Sequence, residues 1–153
     1  MKPKNRHLLH LVVLSVLVIM VGIAQAKTES ISVEPGKELT RTINLASGDR
    51  TLISFTVLGP APSSLNFYII LPDGTTSDYG ETSQFKTDFF TSVEGECQLT
   101  FDNSNSSDPK LVTLNYEVEH YILGIPQMIF LLIAIAILLL FVVAGYIIMG
   151  KYG

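Results

Sequence analysis

Residues 95–118 read GECQLTFDNSNSSDPKLVTLNYEV, and their apolar side chains recur with a spacing of two. Cys97, Leu99 and Phe101 alternate with polar neighbours. A turn-forming run follows over residues 103–109, and Val112, Leu114, Tyr116 and Val118 then resume the alternation. Successive side chains of a strand point to opposite faces, so the pattern describes two half-buried strands joined by a polar loop. The same period recurs upstream in residues 38–45 (Leu39, Ile43, Leu45), 51–58 (Ile53, Phe55, Val57) and 65–71 (Leu65, Phe67, Ile69, Leu71), and Phe85 with Phe89 continues it. Pro35-Gly36, Ser47-Gly48-Asp49, Gly59-Pro60, Pro72-Asp73-Gly74 and Glu94-Gly95 separate the runs with turn chemistry. About seven short strands without a helical stretch predict an all-β, antiparallel two-sheet β-sandwich. Residues 73–83, polar and without alternation, read as its one long loop.

Apolar stretches of a different kind flank this region. Residues 128–149 carry no charge over 22 positions, which as a helix reach ~33 Å and match the ~30 Å hydrocarbon core of a bilayer. A transmembrane helix is therefore predicted there, after a short linker at residues 121–127 and before a tail at residues 150–153. Lys151 lies beyond the helix and Glu117 and Glu119 before it, so the positive-inside bias puts the tail in the cytoplasm and the sandwich outside it. At the other terminus, Lys2, Lys4 and Arg6 precede an apolar run over residues 11–24 and then Ala24-Gln25-Ala26. This is the layout of a secretory signal peptide over residues 1–26, cleaved after Ala26. The run spans only ~21 Å, short of a bilayer, which favours cleavage. The alternative is a retained membrane helix lengthened by Leu8 and Leu9. Either arrangement leaves residues 27–120 extracytoplasmic or lumenal, single-pass type I in the first case and two-pass in the second.

All fourteen acidic residues fall in that middle region, against six basic ones, a net of −8 within a chain of net −4. An acidic domain has no cationic face for phosphates, which argues against a nucleic-acid partner. Catalytic candidates are few. Two of the three histidines, His7 and His10, lie in the leader, leaving His120 as the only candidate base of its type and Cys97 as the only thiol. Cys97 shares a strand face with Leu99 and Phe101 and reads as a buried core residue, and as the only cysteine it can form no intrachain disulfide. Paired His or Cys at metal-ligand spacing is absent, as are a nucleophile elbow and a Gly-rich phosphate loop. Asp73, Asp78, Asp102 and Asp108 lie in or beside loops as solvated turn acids, or as oxygen ligands for calcium. Asn105-Ser106-Ser107 is an N-glycosylation sequon, making Asn105 the one candidate modification site. Tyr116 and Tyr121, near the membrane end, suit interfacial anchoring. No catalytic, cofactor or metal site is assigned, and no small-molecule substrate is identified.

The stretch at residues 95–118, together with VEPGKEL at 33–39, ASGDRTLISFTV at 46–57 and LNFYIILPDG at 65–74, resembles the GOLD (Golgi dynamics) domain family over residues 31–120. That family includes the lumenal domains of the transmembrane emp-type (TMED) cargo receptors. The resemblance implies a signal peptide, a lumenal sandwich of jelly-roll type and one C-terminal membrane helix. Three family features are missing: the coiled coil before the membrane, the cytosolic sorting tail and the lumenal cysteine pair. The expectation is a non-enzymatic, membrane-anchored adaptor or cargo-type receptor whose partners are the lipid bilayer and other membrane or secreted proteins. The alternative is a small accessory structural subunit of a larger membrane complex.

Overall fold

The computed structural model of the chain describes residues 26–152; the leader reading of residues 1–26 falls outside them except for Ala26. Eight strands build the sandwich: β1 (Lys27–Val33), β2 (Glu38–Leu45), β3 (Arg50–Leu58), β4 (Leu65–Ile70), β5 (Thr76–Thr82), β6 (Gln84–Phe90), β7 (Gly95–Asp102) and β8 (Lys110–Glu119). They pair antiparallel in two four-stranded sheets, in the orders β1-β8-β3-β6 and β2-β7-β4-β5. These interleaved orders are those of a jelly roll, in which two Greek keys fold a long ribbon over on itself. The sandwich forms one compact unit, and the C-terminal segment from Ile122 onward belongs to another.

Each strand supplies alternate side chains to the space between the sheets. From one sheet come Ile31, Val33, Ile53, Phe55, Val57, Val112 and Leu114; from the other, Ile43, Leu45, Leu65, Phe67, Ile69, Cys97, Leu99 and Phe101. Three rings meet at the centre. Phe55 stands edge-on to Phe67 and Phe101 with centroids 4.7 and 5.2 Å away, and Phe67 lies 5.1 Å from Phe101. Phe85 on β6 and Tyr79 on β5 close the open side of this cluster, 4.4 Å apart.

Two strands are absent from the alternation pattern, and both are edge strands. The stretch expected as a long loop at residues 73–83 contains β5, which pairs with β4 and carries a register shift at Asn66/Tyr68. An edge strand half in water needs no apolar alternation, and in β5 only Tyr79 reaches the core cluster. What remains of the loop is a tight turn in which Leu71 N–H donates to the Thr75 carbonyl and Thr75 N–H to Asp73 Oδ1. β1 escapes notice for the same reason, since its first half is largely exposed and only Ile31 and Val33 are buried. The segment expected as a plain linker forms a small hairpin, β9 (Tyr121–Ile122) with β10 (Ile125–Pro126). Its turn residues Leu123 and Gly124 both have positive φ, 53° and 77°, the combination of a two-residue type I′ turn. Helix α1 (Gln127–Tyr152) starts directly after Pro126, which cannot donate a backbone N–H and suits a helix start.

The ring cluster generates a direct test. Phe101 is fully buried, so Phe101→Ala removes a large apolar side chain and leaves a cavity, at an expected cost of about 3–5 kcal/mol. Denaturant titration of the full chain in detergent measures this, and a loss below about 1 kcal/mol would be incompatible with the packing described.

Candidate functional site

Antiparallel order sorts the loops to two ends of the sandwich. At the end where β8 finishes lie the β2–β3 turn, the β4–β5 turn, the β6–β7 turn and His120. The first and third of these are clamped together: Gly48 N–H donates to the Thr91 carbonyl at 2.7 Å, and Thr91 N–H to the Asp49 carbonyl at 2.8 Å. The Asp49 side chain is buried and receives the Ala46 N–H on Oδ2 at 2.8 Å. Its other oxygen lies 2.7 Å from Nδ1 of His120, whose imidazole is half exposed. A buried carboxylate orienting an imidazole is the supporting half of a catalytic triad. Among the described residues, however, no hydroxyl or thiol hydrogen-bonds to that ring.

Cys97 is not brought into this arrangement. It faces the core beside Leu99 and Phe101, fully buried and unbridged. Burial pushes its thiol up to about 11, the opposite of what an activated nucleophile requires. The sequence-predicted acids are dispersed as well. Asp73 caps Thr75, Asp78 caps Gly80 at 2.8 Å, and Asp102 caps Ser104 at 2.7 Å. Each accepts a backbone N–H two residues ahead, the geometry of an Asx turn. Hydrogen bonding from Thr75, its backbone N–H first and its side chain second, holds the Asp73 carboxyl below the usual carboxylate range. Among the described residues no three His, Cys, Asp or Glu side chains converge as metal ligands would.

The opposite end is more heavily built. There the β7–β8 loop, the β3–β4 loop and the β1–β2 turn converge on two buried polar residues. Asn103 is 2% exposed, and its Nδ2 donates to the carbonyls of Asp108 at 2.9 Å, Val33 at 3.1 Å and Glu34 at 3.3 Å. Its backbone adds a bond from Asn103 N–H to the Lys37 carbonyl and one from Gly36 N–H to its own carbonyl. Its Oδ1, also buried, has no partner. Lys110, likewise 2% exposed, donates from Nζ to the carbonyl of Pro60 at 2.8 Å and to that of Pro62. Gly59 permits this approach, because a Cβ there would lie 3.1 Å from both Lys110 Cδ and the Pro109 carbonyl oxygen. A cavity of about 270 Å³ opens beside these groups, lined among others by Ser64, Glu81, Asp102, Asn103, Asp108 and Lys110. Asn105 also borders it, exposed in the turn of the β7–β8 loop.

Sequence reasoning missed Asp49, Glu81, Asn103 and Lys110. For Lys110 a signal existed: it stands in phase with Val112 and Leu114, so its side chain starts on the inner face of β8. Asn103 is likewise in phase with Phe101. Nothing local marks Asp49, an ordinary turn acid in sequence whose partner His120 lies 71 residues away.

No family model and no curated protein matches the chain. Among solved structures it is similar to PliG, a periplasmic inhibitor of g-type lysozyme, from Aeromonas hydrophila, at 11% identity and a TM-score of 0.45 over 63% of this chain and 88% of that one. The Salmonella Typhimurium PliG is similar at 12% identity and a TM-score of 0.44, over 61% of this chain and 91% of that one. A de novo designed double-stranded β-helix matches at 15% identity and a TM-score of 0.36, over 61% of this chain and 99% of that one.

The raised thiol pKa of Cys97 generates a pH prediction. A raised folded-state pKa means that the folded protein holds the proton more tightly than the unfolded chain. The associated stability is complete below the unfolded value of 9.0 and is lost as pH rises through about 11. Melting temperature is expected to fall across that window, and Cys97→Ala to flatten this part of the fall. At about pH 8 the folded protein is expected to resist a thiol reagent that modifies the denatured chain at once.

Proposed function

We propose that this chain is a membrane-anchored, non-enzymatic β-sandwich of GOLD-like type that binds another protein on the extracytoplasmic or lumenal side. The observation that carries this reading is the junction of two opposite materials within seven residues of chain. β8 ends at Glu119, and Gln127 opens a 22-residue window, Gln127–Ile148, of mean hydropathy 3.2 with none of it buried by protein. A helix that is apolar all round needs lipid or other membrane helices to cover it. The sandwich it anchors is acidic and polar outside, and it keeps four edge strands, β1, β6, β2 and β5. Anchoring holds these edges and the loop ends at high effective concentration relative to any partner in the same membrane. The functional reading does not require chemistry: His120 has a carboxylate partner but no nucleophile among the described residues, and Cys97 is sealed in the core.

Residues 1–26 serve in this reading as the secretory leader, Lys151 marks the cytoplasmic side, and the partner is a membrane or secreted protein. Asn105 is then on the glycosylation-competent side. In sealed vesicles, protease is expected to cut the sandwich only when added on the extracytoplasmic or lumenal face; cleavage restricted to the cytoplasmic face would overturn the topology.

Adaptor and structural subunit differ in how long they hold their partner. Native mass analysis of the full chain extracted in mild detergent is expected to find mostly free protein, with the partner retained only after cross-linking. A stoichiometric complex that survives extraction would establish the accessory-subunit reading instead. The double variant His120→Gln with Cys97→Ala is expected to cross-link within a fewfold of the unmodified protein.

A further inference from the structure

We infer that the exposed aromatic pair Phe90 and Tyr121, with Val93 beside it, is a lipid-contacting surface seated in the headgroup layer of the bilayer that holds α1. This rests on the membrane-anchored reading above and names a second contact with the same membrane. The sequence singles out Tyr121 for interfacial anchoring, and the fold adds Phe90. Along β6, Phe85 and Phe89 pack against the core, so the next residue, Phe90, points out of the sandwich. It is 62% exposed, and its ring meets that of Tyr121 edge-on, with centroids 5.5 Å apart. Val93, in the β6–β7 turn, is 46% exposed and lines the same shallow cleft as Phe90. Single exposed apolar side chains are ordinary, whereas adjacent ones with a polar rim mark a surface that something covers. The rim here consists of paired charges. Arg50 bonds Asp88 at 2.8 Å and reaches Glu119 at 3.4 Å, with its guanidinium carbon 6.0 Å from the centre of the Phe90 ring.

Chain length identifies the cover. Six residue steps separate Tyr121 from Gln127, at most about 20 Å of extended chain, and the hairpin turn at Leu123-Gly124 shortens that reach. The apolar span begins at Gln127, so Tyr121 cannot lie farther than this tether from the membrane surface. The tether itself has the composition of a membrane segment. Residues 121–126 read YILGIP, without a charge, and Leu123 is 88% exposed. The charged part of the chain thus ends at Glu119 and resumes only at Lys151. Lipid covers such a segment where water would leave its leucine and isoleucines bare, and a tyrosine at its outer limit suits the headgroup level. That layer is about 5–8 Å deep on each side of the hydrocarbon core, enough to take in a ring but not a sandwich. Phe90, held against Tyr121, enters it with Tyr121. Charge makes the insertion apolar in character: Asp88, Glu94 and Glu119 outnumber Arg50 around the patch, so anionic headgroups add no attraction.

The chain contains no tryptophan, so a single introduced one reports its own surroundings. Phe90→Trp, Leu58→Trp and Leu138→Trp are made separately in the full chain and reconstituted in phosphatidylcholine vesicles, with lipid brominated either near the headgroup or deep in the acyl chains. Leu58 is exposed at the opposite end of β3 from Arg50, and Leu138 lies in the middle of α1. Phe90→Trp is expected to lose emission at least twofold with the shallow bromines and less with the deep ones, Leu138→Trp the reverse, and Leu58→Trp with neither. Adding phosphatidylglycerol is expected to leave this pattern unchanged. Should Phe90→Trp lose its folded spectrum, Tyr121→Trp serves the same comparison. An unquenched Phe90→Trp beside a quenched Leu138→Trp would overturn the inference and leave the anchored reading standing. Shielding of Phe90→Trp from iodide without quenching by bromolipid would assign the patch to a protein and overturn it equally, as would quenching that appears only with phosphatidylglycerol. If Leu138→Trp is itself unquenched, the anchored reading falls and this inference with it.

Discussion

Everything in the sandwich depends on the contact of Phe55 from one sheet with Phe67 and Phe101 from the other. Face-to-face sheets lie about 10 Å apart, and large rings fill that gap while tying the two layers in one register. Because β3, β4 and β7 each deliver one of these rings, the paths of the strands on either side follow. β8 pairs beside β3, β2 pairs beside β7, and the remaining strands occupy the edges. Burial of these rings also supplies much of the driving force, since the chain has no disulfide to hold the layers together.

Fixing the strands fixes which loops meet. At one end two turns exchange backbone hydrogen bonds and bury Asp49 against His120; at the other three loops close over Asn103 and Lys110. The two ends solve the problem of buried polarity differently. Asp49 has a partner for each oxygen, the Ala46 N–H and the His120 ring. The far end places the Lys110 side chain inside and satisfies its Nζ with the carbonyls of Pro60 and Pro62. It also leaves an amide oxygen unmatched. Buried polar groups are costly unless paired, and each end keeps such a cost, the Thr91 hydroxyl beside Asp49 and the Asn103 amide oxygen at the far end.

The chain's direction gives these ends different meanings. β8 leaves at the Asp49–His120 end, from which the chain continues into a short hairpin and an apolar helix, and the cavity lies at the other end of the sandwich. A jelly roll with eight strands must bring its last strand out at the same end as the first one enters. Which loops meet at the cavity end is thus a consequence of topology.

Much of this was legible in the sequence, because alternation and hydropathy are local. A strand with one face in the core must repeat its apolar residues every second position, and so β2, β3, β4, β7 and β8, their inward residues and the burial of Cys97 can be read directly. A long uncharged run has only helix as a low-cost form in lipid, so α1 can be read too, though whether it crosses a membrane is a matter of length and composition. β1 and β5 were not legible, because each buries too little to leave a pattern: β1 only Ile31 and Val33 at its end, and β5 no fully buried side chain, with Tyr79 alone against the core rings. Nor were the pairs that matter most at the ends. Asp49 with His120, Asn103 with Val33, and Lys110 with Pro60 are separated by 71, 70 and 50 positions. No local pattern encodes such meetings; they arise only when strand order carries distant loops to one place, where exclusion of water forces each polar group to find a partner or remain without one.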